Sequence, residues 1–74
     1  MPSVLEVAVE VLAELFNRER ASEAKPLFLK NRTLTITCVT TTIAQEIRLK
    51  QGEILEKIND KMGRKEVDSI RYLA

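Results

Sequence analysis

The sequence predicts an α+β domain, a three-stranded mixed sheet with helices on one face. Three observations carry that prediction. A capped amphipathic helix opens at Ser3, a strictly alternating strand runs from Thr33 to Val39, and a long amphipathic helix follows from Ile43 and stops at Gly63 before a short last strand. Period 3.6 and period 2 are the signatures of half-buried helices and strands. With 74 residues the chain has room for one domain, residues 1–74, and neither a repeat nor a linker divides it. A domain this small buries only about 60% of the surface its unfolded chain exposes, so its core is thin.

The first helix starts at a capping box, Ser3-Val4-Leu5-Glu6. Ser3 is placed to accept from the Glu6 N–H, and the Glu6 carboxylate to reach back to the Ser3 N–H. Val4, Val7, Ala8, Val11, Leu12 and Leu15 share one face, widened by Leu5, Val9 and Phe16. Glu6, Glu10 and Glu14 lie opposite as a solvated stripe. So wide an apolar arc suits a helix lying flat on a sheet, or one that also meets a second copy as a homodimer. The pattern fails at Arg18, Glu19 and Arg20, so the helix either continues to about Glu23 or kinks near Asn17. Pro26 disfavours a helical Lys25 and ends it by then.

Leu27, Phe28 and Leu29 read as a short first strand, and Asn31-Arg32 as a two-residue hairpin turn, because Asn tolerates positive φ. In the second strand Leu34, Ile36 and Cys38 face inward and Thr33, Thr35 and Thr37 face solvent. A second capping box, Thr42-Ile43-Ala44-Gln45, opens the long helix. Its inward face holds Ile43, Ala44, Ile47, Gln51, Ile54, Leu55, Ile58 and Met62, and Gly52 marks a bend or a split. Glu46–Lys50 and Glu53–Lys57 are favourable i,i+4 pairs on its outer side. Ser69 to Leu73 forms the last strand, with Ile70 and Tyr72 inward. The three aromatic residues, Phe16, Phe28 and Tyr72, are expected in the core; base stacking is the alternative role for Tyr72. The crossover from second to third strand is expected to be right-handed, leaving the far face of the sheet open and polar.

Composition excludes several function classes. The chain has no His, which removes the commonest general base and the Ser-His and Cys-His nucleophile pairs. Cys38 is the only cysteine and reads as a reduced core thiol. No paired carboxylates, phosphate-cradling Gly loop or metal-ligand cluster stands in the sequence, so no enzymatic activity, cofactor or metal is expected. No apolar run approaches the roughly 18 residues of a membrane span. No signal peptide is seen, and a cytoplasmic protein is expected. Net charge is +1 but unevenly spread: residues 1–24 hold two basic against five acidic side chains, residues 25–74 ten against six. The basic part hints at an anionic partner.

Pro26-x-x-Leu29-x-Asn31-x-Thr33-Leu34-Thr35-Ile36, then Thr40 to Ile47, Ile54-Leu55-x-x-Ile58-Asn59-x-x-Met62-Gly63 and Val67-x-x-Ile70-Arg71-Tyr72 resemble the DciA-type family over about Phe16 to Tyr72. The resemblance implies a type II KH-like domain, αββαβ, acting in bacterial DNA replication. It also implies a replicative DNA helicase as partner and binding to DNA. Ile43 stands where the family often has Trp, and Asn17 where it often has Gly. The 74 residues carry no long basic tail of the kind many members have, and a minimal or truncated form is expected. The Gly-x-x-Gly loop with which KH modules clamp nucleic-acid backbone is also absent.

Two functions follow. As a helicase adaptor the chain would use Leu49, which projects from the polar side of the long helix. As a nucleic-acid binder, of single-stranded DNA rather than RNA, it would lean on Lys30, Arg32, Lys50, Lys57, Lys61, Arg64 and Lys65. A general KH-like nucleic-acid-binding module without a helicase role is the alternative reading.

Overall fold

A computed structural model describes residues 2–73. Ser3 caps α1 (Val4–Leu15): its Oγ accepts from the Glu6 N–H at 3.2 Å. The Glu6 carboxylate takes the Ser3 hydroxyl, at 3.3 Å, rather than the backbone N–H that the capping box predicts. Phe16 is extended and ends the helix, and Asn17 caps a separate short helix, α2 (Arg18–Ala21), accepting from the Arg20 N–H at 2.8 Å. Of the two alternatives for this segment the break at Asn17 is the one formed. Turning there keeps Phe16 in the core and sends Arg18 and Glu19 to solvent.

Strand β1 (Ala24–Lys30) is longer than the Leu27–Leu29 core of the prediction and pairs antiparallel with β2 (Thr33–Cys38). Sheet order is β1-β2-β3, so β1 lies at an edge. An edge strand tolerates Pro26, which has no N–H to give to a ladder. Asn31 and Arg32 both have positive φ, 51° and 63°, as the two-residue turn requires. Next to Pro26 the register shifts by one residue, so that Leu27 is extra in a β-bulge and Phe28 pairs with Thr35. A bulge inverts the alternation beyond it. Leu29 therefore turns inward, and Phe28 and Lys30 face out. Phe28 is 49% exposed rather than in the core, and the far face is not purely polar.

The predicted long helix is split into α3 (Thr41–Leu49) and α4 (Gln51–Met62). The joint is Lys50, at φ −101° and ψ 12°, not Gly52. The cap of α3 lies two residues before the predicted one: Thr40 Oγ1 accepts from the Ile43 N–H at 3.2 Å. Three consecutive Thr residues offer three caps, and Thr40 is the one still extended after the strand. The inward face is as the periodicity predicts, with Ile43, Ile47, Ile54 and Ile58 fully buried. Glu46 pairs with Arg20 of α2 instead of with Lys50.

Gly63 closes α4 in the left-handed region at φ 79°, a conformation that only Gly adopts freely. On the helix side, one side chain of α4 holds the loop to β3 (Ser69–Leu73). Asn59 Oδ1 accepts from the N–H groups of Glu66 and Val67 at 2.9 and 3.0 Å, and its Nδ2 donates to the Val67 carbonyl at 3.0 Å. Strand β3 pairs parallel with β2. The core lies between the sheet and the helices: Val7, Val11 and Leu12 of α1 meet Leu34 and Ile36 of β2, the isoleucines of α3 and α4, and Val67. Cys38 is buried here, and that burial pushes its thiol pKa up, so it stays a protonated apolar filler.

Candidate functional site

The seven basic residues singled out from the sequence separate into three places. Lys50, Lys57 and Lys61 follow α4 on the helix layer. Lys61 Nζ lies 2.9 Å from Glu14 Oε2 of α1. The hydrogen bond between them raises the Lys61 pKa and lowers that of Glu14, with Lys57 adding to the field at Glu14. The Lys50 ammonium stands 6.0 Å from the centre of the Phe16 ring. The acidic stripe of α1 and this basic stripe thus face each other within one chain.

Arg32, Arg64 and Lys65 gather where the hairpin turn meets the loop before β3. Arg32 donates from Nε to Asp68 Oδ2 at 2.7 Å and from Nη2 to the Lys65 carbonyl at 2.6 Å. The Arg32 carbonyl in turn accepts from the Asp68 N–H at 2.8 Å. Arg64 pairs with Glu66, and Lys65 Nζ is 3.7 Å from Asp68 Oδ1. The Arg32 fork is occupied by its own chain. It secures a non-Gly residue in a positive-φ turn and ties that turn to β3.

Only Lys30 stands on the open face of the sheet. The register places Lys25, Phe28 and Lys30 of β1, Thr33, Thr35 and Thr37 of β2, and Ser69, Arg71 and Leu73 of β3 on that side. Phe28, Lys30, Asn31, Thr33, Thr35 and Arg71 line a shallow hollow of about 310 Å³. Thr35 forms its floor and is 3% exposed, although alternation alone gives it to solvent. The central strand puts it between the longer side chains of Phe28 and Arg71. Thr33 Oγ1 and Ser69 Oγ share a hydrogen bond at 3.0 Å across the same face. No acidic residue occupies a position on this side of the three strands. Among the described residues Lys25, Lys30 and Arg71 form no ion pair.

Sequence reasoning missed Lys25, Phe28 and Arg71 as surface partners of Lys30. Arg71 was legible, since it sits between the inward Ile70 and Tyr72. Phe28 was not, because one bulged residue reverses its face. Tyr72 is inward and half-buried as predicted: its hydroxyl donates to Gln51 Oε1, and the Arg48 guanidinium lies 5.5 Å from its ring. That burial raises its pKa.

Leu49, at the C-terminal end of α3, is 86% exposed. On α1, Val9 is also exposed, while Val7, Ala8, Val11 and Leu12 are consumed by the chain's own core. Among the described residues no helix is long and apolar enough to cross a membrane, and no group of three or more His, Cys, Asp or Glu side chains is placed to hold a metal ion.

No curated protein matches this chain. The family model described as Dna[CI] antecedent, DciA, matches residues 5–72, nearly the whole chain, and the chain therefore belongs to the DciA family, whose members have a replicative helicase loader-type role.

Proposed function

We propose that this chain is a non-enzymatic adaptor of DNA replication in the cytoplasm, which engages the replicative helicase and holds DNA weakly. The family match over residues 5–72 carries this reading. Leu49 supports it: a large apolar side chain with 86% of its surface in water, between exposed Arg48 and Lys50, is suited to a partner's apolar pocket. Leu49 lies on the helix layer, on the other side of the sheet from its open face.

The test is co-elution of the chain with the replicative helicase of its own source at moderate salt. A complex that survives salt is expected, because apolar contacts are screened little. Leu49→Glu should weaken it without unfolding the domain. Unchanged binding by that variant would take Leu49 out of the interface. Absence of any complex from the folded chain would favour a general nucleic-acid-binding module.

A further inference from the structure

The open face of the sheet combines three features. It has an exposed aromatic ring, cations without counter-charges, and a row of small hydroxyl residues that let a flat ligand approach the strands. The ring is Phe28, 49% exposed beside the hollow. The cations are Lys30 and Arg71, which flank the ring across β1 and β3, with Lys25 further along β1. Thr33, Thr35 and Ser69 lie between them.

Each feature selects the same ligand. A purely electrostatic surface needs no ring, and an apolar protein contact does not call for an acid-free set of cations. A strand of nucleic acid offers both a π-face and a phosphate at every step, and single strands are bound by stacking platforms beside positive charge. Duplex DNA presents no free base face to a ring lying on a sheet. Without a Gly-x-x-Gly loop, the chain lacks the KH route to the backbone, whereas stacking on sheet aromatics is how RRM domains bind single strands.

Deepening the adaptor reading and resting on its DNA-binding half, we infer that this sheet face is the site for single-stranded DNA. Phe28 stacks a base, and Lys30 and Arg71 hold the flanking phosphates. The β-bulge at Leu27 is the device that makes the site, since strict alternation would point both Phe28 and Lys30 into the core. The Lys50, Lys57 and Lys61 stripe, facing Glu14, is then secondary.

The chain contains no Trp, so Phe28→Trp introduces a single reporter at the site. Titrating this variant with oligothymidylate should quench its emission through stacking. In fluorescence anisotropy at low salt, Phe28→Ala should weaken binding of labelled oligothymidylate about fivefold or more. Lys30→Gln with Arg71→Gln should lower the slope of log affinity against log salt by about 1.4. Unmoved Phe28→Trp emission, with the Lys57→Gln, Lys61→Gln double variant losing more affinity than the sheet variants, overturns the inference. Oligouridylate bound tenfold tighter than oligothymidylate overturns the choice of DNA. A chain that binds the helicase yet leaves Phe28→Trp emission unchanged sinks this site and not the adaptor reading. A chain that stacks oligothymidylate on Phe28 and ignores the helicase does the reverse.

Discussion

Two basic surfaces of this domain each carry two or three cations, and they differ in what faces them. Lys57 and Lys61 repeat at helical spacing and look like a binding stripe. Folding brings α1 alongside α4, and the stripe meets Glu14 at 2.9 Å. Lys30 and Arg71 are far apart in sequence and attract no notice as a pair. Folding places them on one sheet face with the exposed Phe28 ring of β1 and no acid on that side of the strands. The lesson is electrostatic. A cation's value to an anionic ligand depends on the counter-charges its own chain brings near it, and those are set by tertiary contacts.

The strongest way to break the comparison is to remove the platform beneath both surfaces. Ile58 is fully buried between the helices and the sheet. Ile58→Ala should cost about 2–5 kcal/mol, a large share of the roughly 4–11 kcal/mol expected for 74 residues. The urea midpoint should fall steeply, and both binding activities should fall with it. Retention of either activity by an unfolded chain would show that it belongs to a linear segment.

Asn59→Ala separates the surfaces more gently. It strips the partners from two N–H groups and one carbonyl in the loop that delivers β3, costing about 1–3 kcal/mol. Amide exchange at Glu66 and Val67 should quicken before that of α1. Since β3 carries Arg71 and α3 carries Leu49, DNA binding should suffer more than helicase binding; equal losses would mean that the loop does not position Arg71.

The direct contrast is charge neutralisation on each surface. Lys57→Gln with Lys61→Gln should change affinity for oligothymidylate by less than about twofold, well below the effect of the sheet-face pair. Equal effects would erase the distinction between the two surfaces.

The smallest effect concerns the loop cluster. The hydrogen bond from Arg32 holds the Asp68 carboxyl below the usual carboxylate range. Its stabilisation is therefore complete above the unfolded-state value of about 3.9 and is lost as pH falls through the lower folded value. The stability difference between the native chain and Asp68→Asn should be flat near neutral pH and shrink in acid below about pH 4. A difference that grows on acidification would reverse the sign and remove the ion pair from the account.

Much of the fold was legible because it rests on local patterns. The Ser3 cap, the positive-φ hairpin at Asn31-Arg32, the Gly63 stop and the bounds of β3 each depend on a few adjacent residues. So does the inward face of α3 and α4, where spacing alone selects Ile43, Ile47, Ile54 and Ile58. The role of Asn59 was hidden, because its partners lie across a turn and a polar residue at half-buried helical spacing carries no sign of what it will hold.

By itself, then, the sequence determined the order of elements, the buried isoleucine face, the mixed three-stranded sheet and the family. The elements and their buried face follow from periodicity and capping, which act over a turn or a strand, and the family from the resemblance of motifs spread along the chain. Tertiary structure alone decided which cations are free and which ring is exposed. One bulged residue at Leu27 exchanges the faces of Phe28 and Lys30, and the packing of α1 on α4 sets Glu14 against Lys61. Both are matters of register between distant segments, and neighbouring residues cannot encode a register that forms only when the sheet and helices close on a common core.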